Sequence, residues 1–254
     1  MKVSIITVVY NGEKTIKSCI DSVINQTYGN IEYIIIDGKS TDTTCKIIES
    51  YGTEIAVFLS EKDAGIYDAM NKGISLATGD VIGILNADDF YHDAFVIEKL
   101  VDKLKETEAD AIYGDLIYVD ADNIHHITRY WKSGNFNKRK FLFGWMPPHP
   151  TFFLRSSSYK QFGTYRLDLG SAADYELMLR MMYKHGTSAA YLPQITTVMR
   201  TGGISNKSLD NRLKANTGDR MAWALNGLTP YWFTLWLKPL RKILQFIYKP
   251  KYTE

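Results

Sequence analysis

With 254 residues, 45% of them apolar and 23% charged, the chain is long enough to bury one large core and too evenly composed to be disordered or fibrous. A net charge of +2 gives no reason to expect nucleic acid as the main partner. The two cysteines, Cys19 and Cys45, lack CxxC spacing and point to neither a zinc site nor a disulfide framework. Met1 and Lys2 lead straight into a strand, which leaves no room for a signal peptide, and no run approaches the roughly 18 apolar residues of a membrane span. The expectation is a reduced, cytoplasmic protein.

In chain order, "VSIITVVY" (3–10) reads as a buried strand, and Glu13 to Asn25 as a helix with Ile16, Ile20, Val23 and Ile24 inward. "IEYIIID" (31–37) is a second strand, after which Ser40 or Thr41 can cap a helix over "STDTTCKIIES". "EIAVFLS" (54–60) is a third strand, followed by a helix from about Ile66 to Ala77 and the strand "VIGIL" (81–85). This alternation implies βαβ units and a mostly parallel sheet flanked by helices. The second half is less regular: "ADAIYGDLIYVD" suggests a strand pair, "PPHPTFFLRSSSY" an extended stretch entering a helix, and "ADYELMLRMMYKHG" a helix closed by Gly186. No domain linker stands before Gly203, so residues 1–205 read as one unit and 206–254 as a helical appendage.

In parallel sheets ligands bind at the carboxyl ends of the strands. Asp37, the stretch from Ser60 to Asp63, and Asp88–Asp89 each follow a strand and should gather on one edge. Side-by-side carboxylates repel, so the Asp88–Asp89 pair points to a cation or a proton held there; a turn is the plainer alternative, with Asp93 free to cap the next helix. The first strand-to-helix turn, "TVVYNGEKT", lacks GxGxxG, which disfavours a dinucleotide enzyme. Thr7, Tyr10, Asn11 and Glu13 stand there instead, able to hydrogen-bond or stack on a base, or simply to end a strand and cap a helix.

The segments "SIITVVYNGEKTIKSCIDSVINQTYGNIEYIIIDGKSTDTT", "SEKDAGIYDAMNKGISLATGD", "LNADD" and "AADYELMLRM", in this order, resemble family 2 of the nucleotide-sugar glycosyltransferases, which have the GT-A fold. The resemblance covers about residues 3–205. It implies an inverting transfer from a nucleotide-sugar, taken as a UDP-sugar, to a saccharide or polyprenyl-linked saccharide, with a divalent metal (Mn2+ or Mg2+) as cofactor. "NADD" takes the place of the DxD signature, with Asp88 near the donor ribose, Asp89 on the metal and Asn86 where an aspartate often stands. Asp37 matches the residue that hydrogen-bonds the donor base, with Lys39 as a departure, while Asp63, Asn71 and Lys72 look like donor contacts. Asp174 matches the general base that an attacking hydroxyl needs, with Glu176 facing away. Arg200 is offered to the diphosphate, beside a Gly202–Gly203 hinge that a lid would use. His149 is open between an acceptor contact and a structural role.

The tail "LTPYWFTLWLKPLRKILQFIYKPKYTE" mixes aromatic, aliphatic and basic residues, the composition of a helix lying on an anionic membrane surface. Packing on the body is the alternative. Neither a QxxRW motif nor spanning helices are present, so one sugar per encounter is expected. The rival readings are a sugar nucleotidyltransferase, which would need a Gly-rich basic loop after the first strand, and a non-catalytic nucleotide-binding protein.

Overall fold

The computed structural model describes residues 1–202, 209–247 and 250. Four short runs lay down one half of the sheet: β1 (Val3–Val9), β2 (Ile31–Asp37), β3 (Val57–Ser60) and β4 (Val81–Ile84). β1, β2 and β4 are buried almost throughout, because helices cover both faces, so their sequences show no polar alternation. They pair in parallel in the order β3-β2-β1-β4. The crossovers contain α1 (Ile16–Ile24), α2 (Thr44–Glu49) and α3 (Ile66–Leu76). α1 buries Ile16, Cys19, Ile20 and Val23, an i, i+3, i+4, i+7 stripe laid on the sheet.

Beyond β4 the chain builds a mixed half. Here stand β5 (Asp89–Tyr91), α4 (Val96–Thr107), β6 (Ala111–Val119), β7 (Ile127–Trp131), β8 (Phe153–Arg155), α5 (Ser156–Phe162), α6 (Ala173–Met178) and β9 (Ala189–Arg200). The order continues β4-β8-β6-β9-β5, with β7 on β6; β8, β7 and β5 run antiparallel to their neighbours while β6 and β9 are parallel. The sheet is therefore parallel in its first half and mixed in its second. The strand pair read over 109–120 is one nine-residue strand, β6, whose hairpin partner β7 follows it. The helix read over 173–186 is α6 followed by a turn that widens to i→i+5 bonding, with His185 N–H donating to the Arg180 carbonyl at 3.0 Å, and it ends at Gly186.

Two apolar clusters fill the two faces. One joins β1, β2 and β4 to α3, α6 and Trp223; the other joins them to α1 and α4. The expected boundary at 205, together with Gly203, Lys249, Lys251 and Glu254, lies outside the described residues. After it come α7 (Leu209–Leu225) and α8 (Thr234–Ile243). Trp223 of α7 is 1% exposed and its indole N–H donates to the Tyr175 hydroxyl at 2.9 Å. α8 lies against the 138–144 segment, where a Cβ on Gly144 would come within 2.5 Å of the Lys238 backbone nitrogen. Its Thr234 hydroxyl donates to the Leu142 carbonyl, and Lys238 forms a two-point ion pair with the buried Asp219 at 2.7 and 2.8 Å.

Candidate active site

The carboxyl ends of β1, β2 and β3 meet in one lip. Asp37 ends β2 and is fully buried; its carboxylate accepts from Ser40 N–H at 2.9 Å, the Ser60 hydroxyl at 2.6 Å, the Ser40 hydroxyl, and the Cys45 thiol at 3.3 Å. Burial by itself would raise its pKa, but these donors outweigh it and hold the group below the ordinary aspartate value. Asp37 thus fixes the loop that follows it. Asn11 fixes the same loop from β1, its Oδ1 accepting from Thr41 N–H at 2.8 Å, while Glu13 accepts from Thr43 N–H at 3.1 Å. Lys39 takes φ +66°, the left-handed region that glycine occupies at least cost.

Tyr10 is 65% exposed on this lip. Asp63 faces it across Gly38, where an added Cβ would stand 2.6 Å from the Asp63 carboxylate and 3.5 Å from the Tyr10 Cβ. Tyr10, Asn11, Asp37 and Asp63 are therefore brought together. Thr7 is not among them. It is 0% exposed, and its hydroxyl bonds the buried Tyr33 hydroxyl at 3.0 Å, because an apolar strand covered on both faces keeps its one threonine inside. Asn71 is also turned elsewhere: its amide clamps the Tyr165 backbone by two 2.9 Å bonds, one to the carbonyl and one from the N–H. Lys72 pairs with Glu61 at 2.8 Å.

After β4, Asp88 and Asp89 have different surroundings. Asp88 is half-buried and Asp89 is 0% exposed, within β5 rather than in a turn. Burial raises the Asp88 carboxyl above its usual range; burial, and then the Asp88 charge, push Asp89 well above it. Asp89 Oδ2 accepts from the Asn86 amide at 3.2 Å, but Asp89 Oδ1 and Asn86 Oδ1 are buried without a partner. Arg200 does not point outward. Its guanidinium donates to the Asp88 carbonyl at 2.7 Å and the Ser18 hydroxyl at 2.9 Å, and stacks on Phe90. Of the two acids, Asp88 is the more exposed, while Asp89 holds an unpartnered oxygen beside it.

Asp174 lies in the first turn of α6, half-buried, with Oδ1 accepting from the Tyr175 N–H at 2.7 Å. It does not cap the helix, which starts one residue earlier. Tyr67 bonds the Asp174 backbone, and the Asp174 charge also reaches His149 and Tyr165. Burial first, and then the Asp174 charge, raise the Tyr67 phenol; burial lowers His149 while Asp174 pulls it the other way. His149 Nε2 bonds the Tyr165 hydroxyl at 2.6 Å, which orients the ring toward the cleft wall. Glu176 faces away, 1% exposed, in a two-point pair with Arg180 at 2.8 and 3.0 Å and a bond from Asn226. The tyrosines carry no sequence signal of their own, except that Tyr67 sits inside the "DAGIYDAMN" segment.

The sequence profile of the glycosyl transferase family 2 matches residues 4–163. The chain belongs to this family. A PGL/p-HBAD biosynthesis glycosyltransferase of Mycobacterium bovis is 29% identical over 212 residues, 82% of this chain and 80% of the relative. An uncharacterized glycosyltransferase of Mycobacterium tuberculosis is 35% identical over 180 residues, 70% of this chain and 68% of the relative. The fold matches that of TarS 1-349 from S. aureus in complex with UDP-GlcNAc, with a TM-score of 0.72 at 18% identity, over 91% of this chain and 68% of that one; another TarS chain is covered to only 39%. A mannosyltransferase of Pyrobaculum calidifontis in complex with GDP-Man and Mn2+ superposes with a TM-score of 0.61 at 16% identity, over 98% of this chain and 81% of that one. The family 2 assignment makes this a glycosyltransferase of glycan biosynthesis, with the GT-A fold.

The described residues fit a divalent cation only in part. No group of three metal-ligating side chains stands among them. Asp88 and the orphaned oxygens beside it nevertheless suit a hard cation that takes one or two carboxylates and completes its shell with phosphate and water.

Proposed function

We propose that this family 2 enzyme transfers one sugar, with inversion, from a UDP-sugar to a saccharide or lipid-linked saccharide. The observation that carries this reading is that two acidic sites, Asp88–Asp89 at the sheet edge and Asp174 on α6, bear on one side chain, Tyr118 of β6, which feels the charges of both Asp89 and Asp174. Tyr10, Asn11, Asp37 and Asp63 hold the nucleoside, Tyr10 by its exposed ring and Asp37 by stiffening the loop after β2. Arg200 holds the Asp88 backbone in place from beneath.

Asp174 takes the proton of the acceptor hydroxyl while that oxygen bonds the anomeric carbon and the bond to the diphosphate oxygen breaks. Asp88, with Asn86 and Asp89 behind it, would hold Mn2+ or Mg2+. When bound, such an ion stabilises the charge that develops on the departing diphosphate. The buried walls around Asp174, chiefly Tyr67 and Tyr165, limit competing attack by water. An aromatic ridge on α8 fits docking on an anionic bilayer, which would bring a lipid-linked acceptor to the cleft. No described helix is long and apolar enough to cross a membrane.

The test is turnover and donor affinity in Asp174→Asn, which keeps shape but cannot accept a proton. With UDP-sugars and manganese, kcat should fall by about 10²-fold or more with UDP affinity unchanged. Near wild-type turnover would place the base elsewhere, and an absence of UDP binding in the wild type would remove the donor assignment.

A further inference from the structure

We propose that Arg129 and Lys242 form a second anion subsite beside the cleft, which takes a phosphate group carried by the acceptor. This rests on the glycosyl-transfer reading and names the chemistry of its acceptor.

Arg129 stands on β7 in an unusual setting. Its guanidinium carbon lies 4.5 Å from the Tyr118 ring centre, 5.4 Å from Trp131 and 5.5 Å from Phe246, and its Nε donates to Gln245 at 2.6 Å. One terminal nitrogen, Nη2, is buried without any hydrogen-bond partner. No carboxylate pairs with Arg129 among the described residues. A buried guanidinium nitrogen without an acceptor is costly, and such groups in native structures usually mark a missing ligand or water. Aromatic walls hold the planar fork in one orientation, the arrangement suited to a phosphate taken by two N–H groups.

The C-terminal segment supplies a second charge. Lys238 is already held by Asp219 on α7 and lies 3.7 Å from the Tyr175 ring centre. Lys242, one turn on, pairs with no carboxylate among the described residues. Desolvation of its ammonium and then the charges of Lys238 and Arg129 lower it, while Asp219 and Asp174 act the other way; much of its side chain stays open to solvent. Gln245, three residues beyond Lys242, takes the Arg129 Nε–H, which brings this end of the segment to Arg129.

Sheet register places this group relative to the donor side. Arg129 pairs with Tyr118, Tyr118 with Met199, and Met199 with Asp89, one row across β7, β6, β9 and β5. Three strand spacings of about 4.8 Å put the Arg129 backbone roughly 14 Å from that of Asp89, three strands away from the donor side. Asp174 also acts on Tyr118, which stands between Arg129 and the donor side. A phosphate at Arg129 would therefore belong to the molecule that approaches Asp174. Two cations that pair with no carboxylate among the described residues favour a phosphate ester over a singly charged carboxylate.

Calorimetry on the full chain with UDP at saturation tests this, using phenyl phosphate as the soluble probe and octyl phosphate below its micellar range as the lipid-like probe. Phenyl phosphate should bind the UDP-loaded protein, and Arg129→Gln should weaken it about tenfold or more with UDP affinity unchanged. Lys242→Gln, a change at an open position, should weaken it too and guards against a folding defect in the first variant. Displacement of phenyl phosphate by UDP, or unchanged affinity in both variants, would overturn the subsite. A wild type that binds phenyl phosphate but not UDP would instead strike at the glycosyl-transfer reading. Tighter octyl phosphate binding that Trp236→Ser reduces identifies a lipid-linked phosphate, whereas equal affinity for the two probes identifies a soluble phosphorylated saccharide.

Discussion

Asp89 is the residue whose charge the fold accommodates least well. It is fully buried, its pKa lies well above the ordinary carboxylate value, and one of its oxygens has no partner. A raised acid binds more protons folded than unfolded, so stability falls as pH rises above the unfolded value of about 3.9. Asp89→Asn removes that penalty while keeping the shape. In EDTA the variant should melt higher than the wild type at pH 7, and the gain should shrink as pH falls toward 4. A lower melting temperature at pH 7 would mean that Asp89 is held by something other than the contacts seen here. Position alone could flag Asp88 and Asp89 as a pair. It could not say which one turns inward, because that depends on the pairing of β5 with β9, more than 100 residues later.

The Asn71 amide ties α3 to the Tyr165 backbone, and Tyr165 in turn holds His149 beside Asp174. Asn71→Ala leaves a backbone N–H and carbonyl without partners, at a cost of about 1–3 kcal/mol. At roughly 2–4 °C per kcal/mol for a chain of this size, a drop of several degrees is expected by calorimetry, with donor KM little changed. Weaker donor binding at an unchanged melting temperature would restore Asn71 as a donor contact. The elements themselves were legible where both faces are covered: β1, β2 and β4 stand out as unbroken apolar runs, and α1 and α3 as stripes between them. β5, three residues long, and β9, which exposes Pro193 and Gln194 midway, offer no such pattern. α4 has a clear apolar stripe through Val96, Ile97, Leu100, Val101 and Leu104 that periodicity could have found. The lip after β1, β2 and β3 and the place of Asp174 at the start of α6 carry motifs that the sequence shows. Arg129 was not, since the groups that box it come from β6, β7 and the segment after α8.

At the scale of the whole molecule, the tail packs on the body with one side and leaves the other side for the bilayer role proposed above. One side of α8 is bound to the body through Thr234, Leu235 and the Lys238–Asp219 pair. The other side exposes Trp236 (65%), Leu240 (55%) and Ile243 (56%), spaced by four and three residues along one face, with Trp232 (86%) exposed in the turn just before the helix. Removing the tail would therefore disturb both roles and decide neither. Point changes separate them. Trp232→Ser with Trp236→Ser alters only the outer face, so the melting temperature should stay within about a degree, as expected for exposed positions. Cosedimentation with vesicles containing phosphatidylglycerol should fall sharply in the same variant, because interfacial aromatics supply the apolar burial that basic residues alone do not. Raising salt should weaken the wild type further by screening the cationic contribution. Equal sedimentation of wild type and double variant would retire the bilayer as the partner of this ridge and leave α8 as a helix whose inner face alone serves the enzyme.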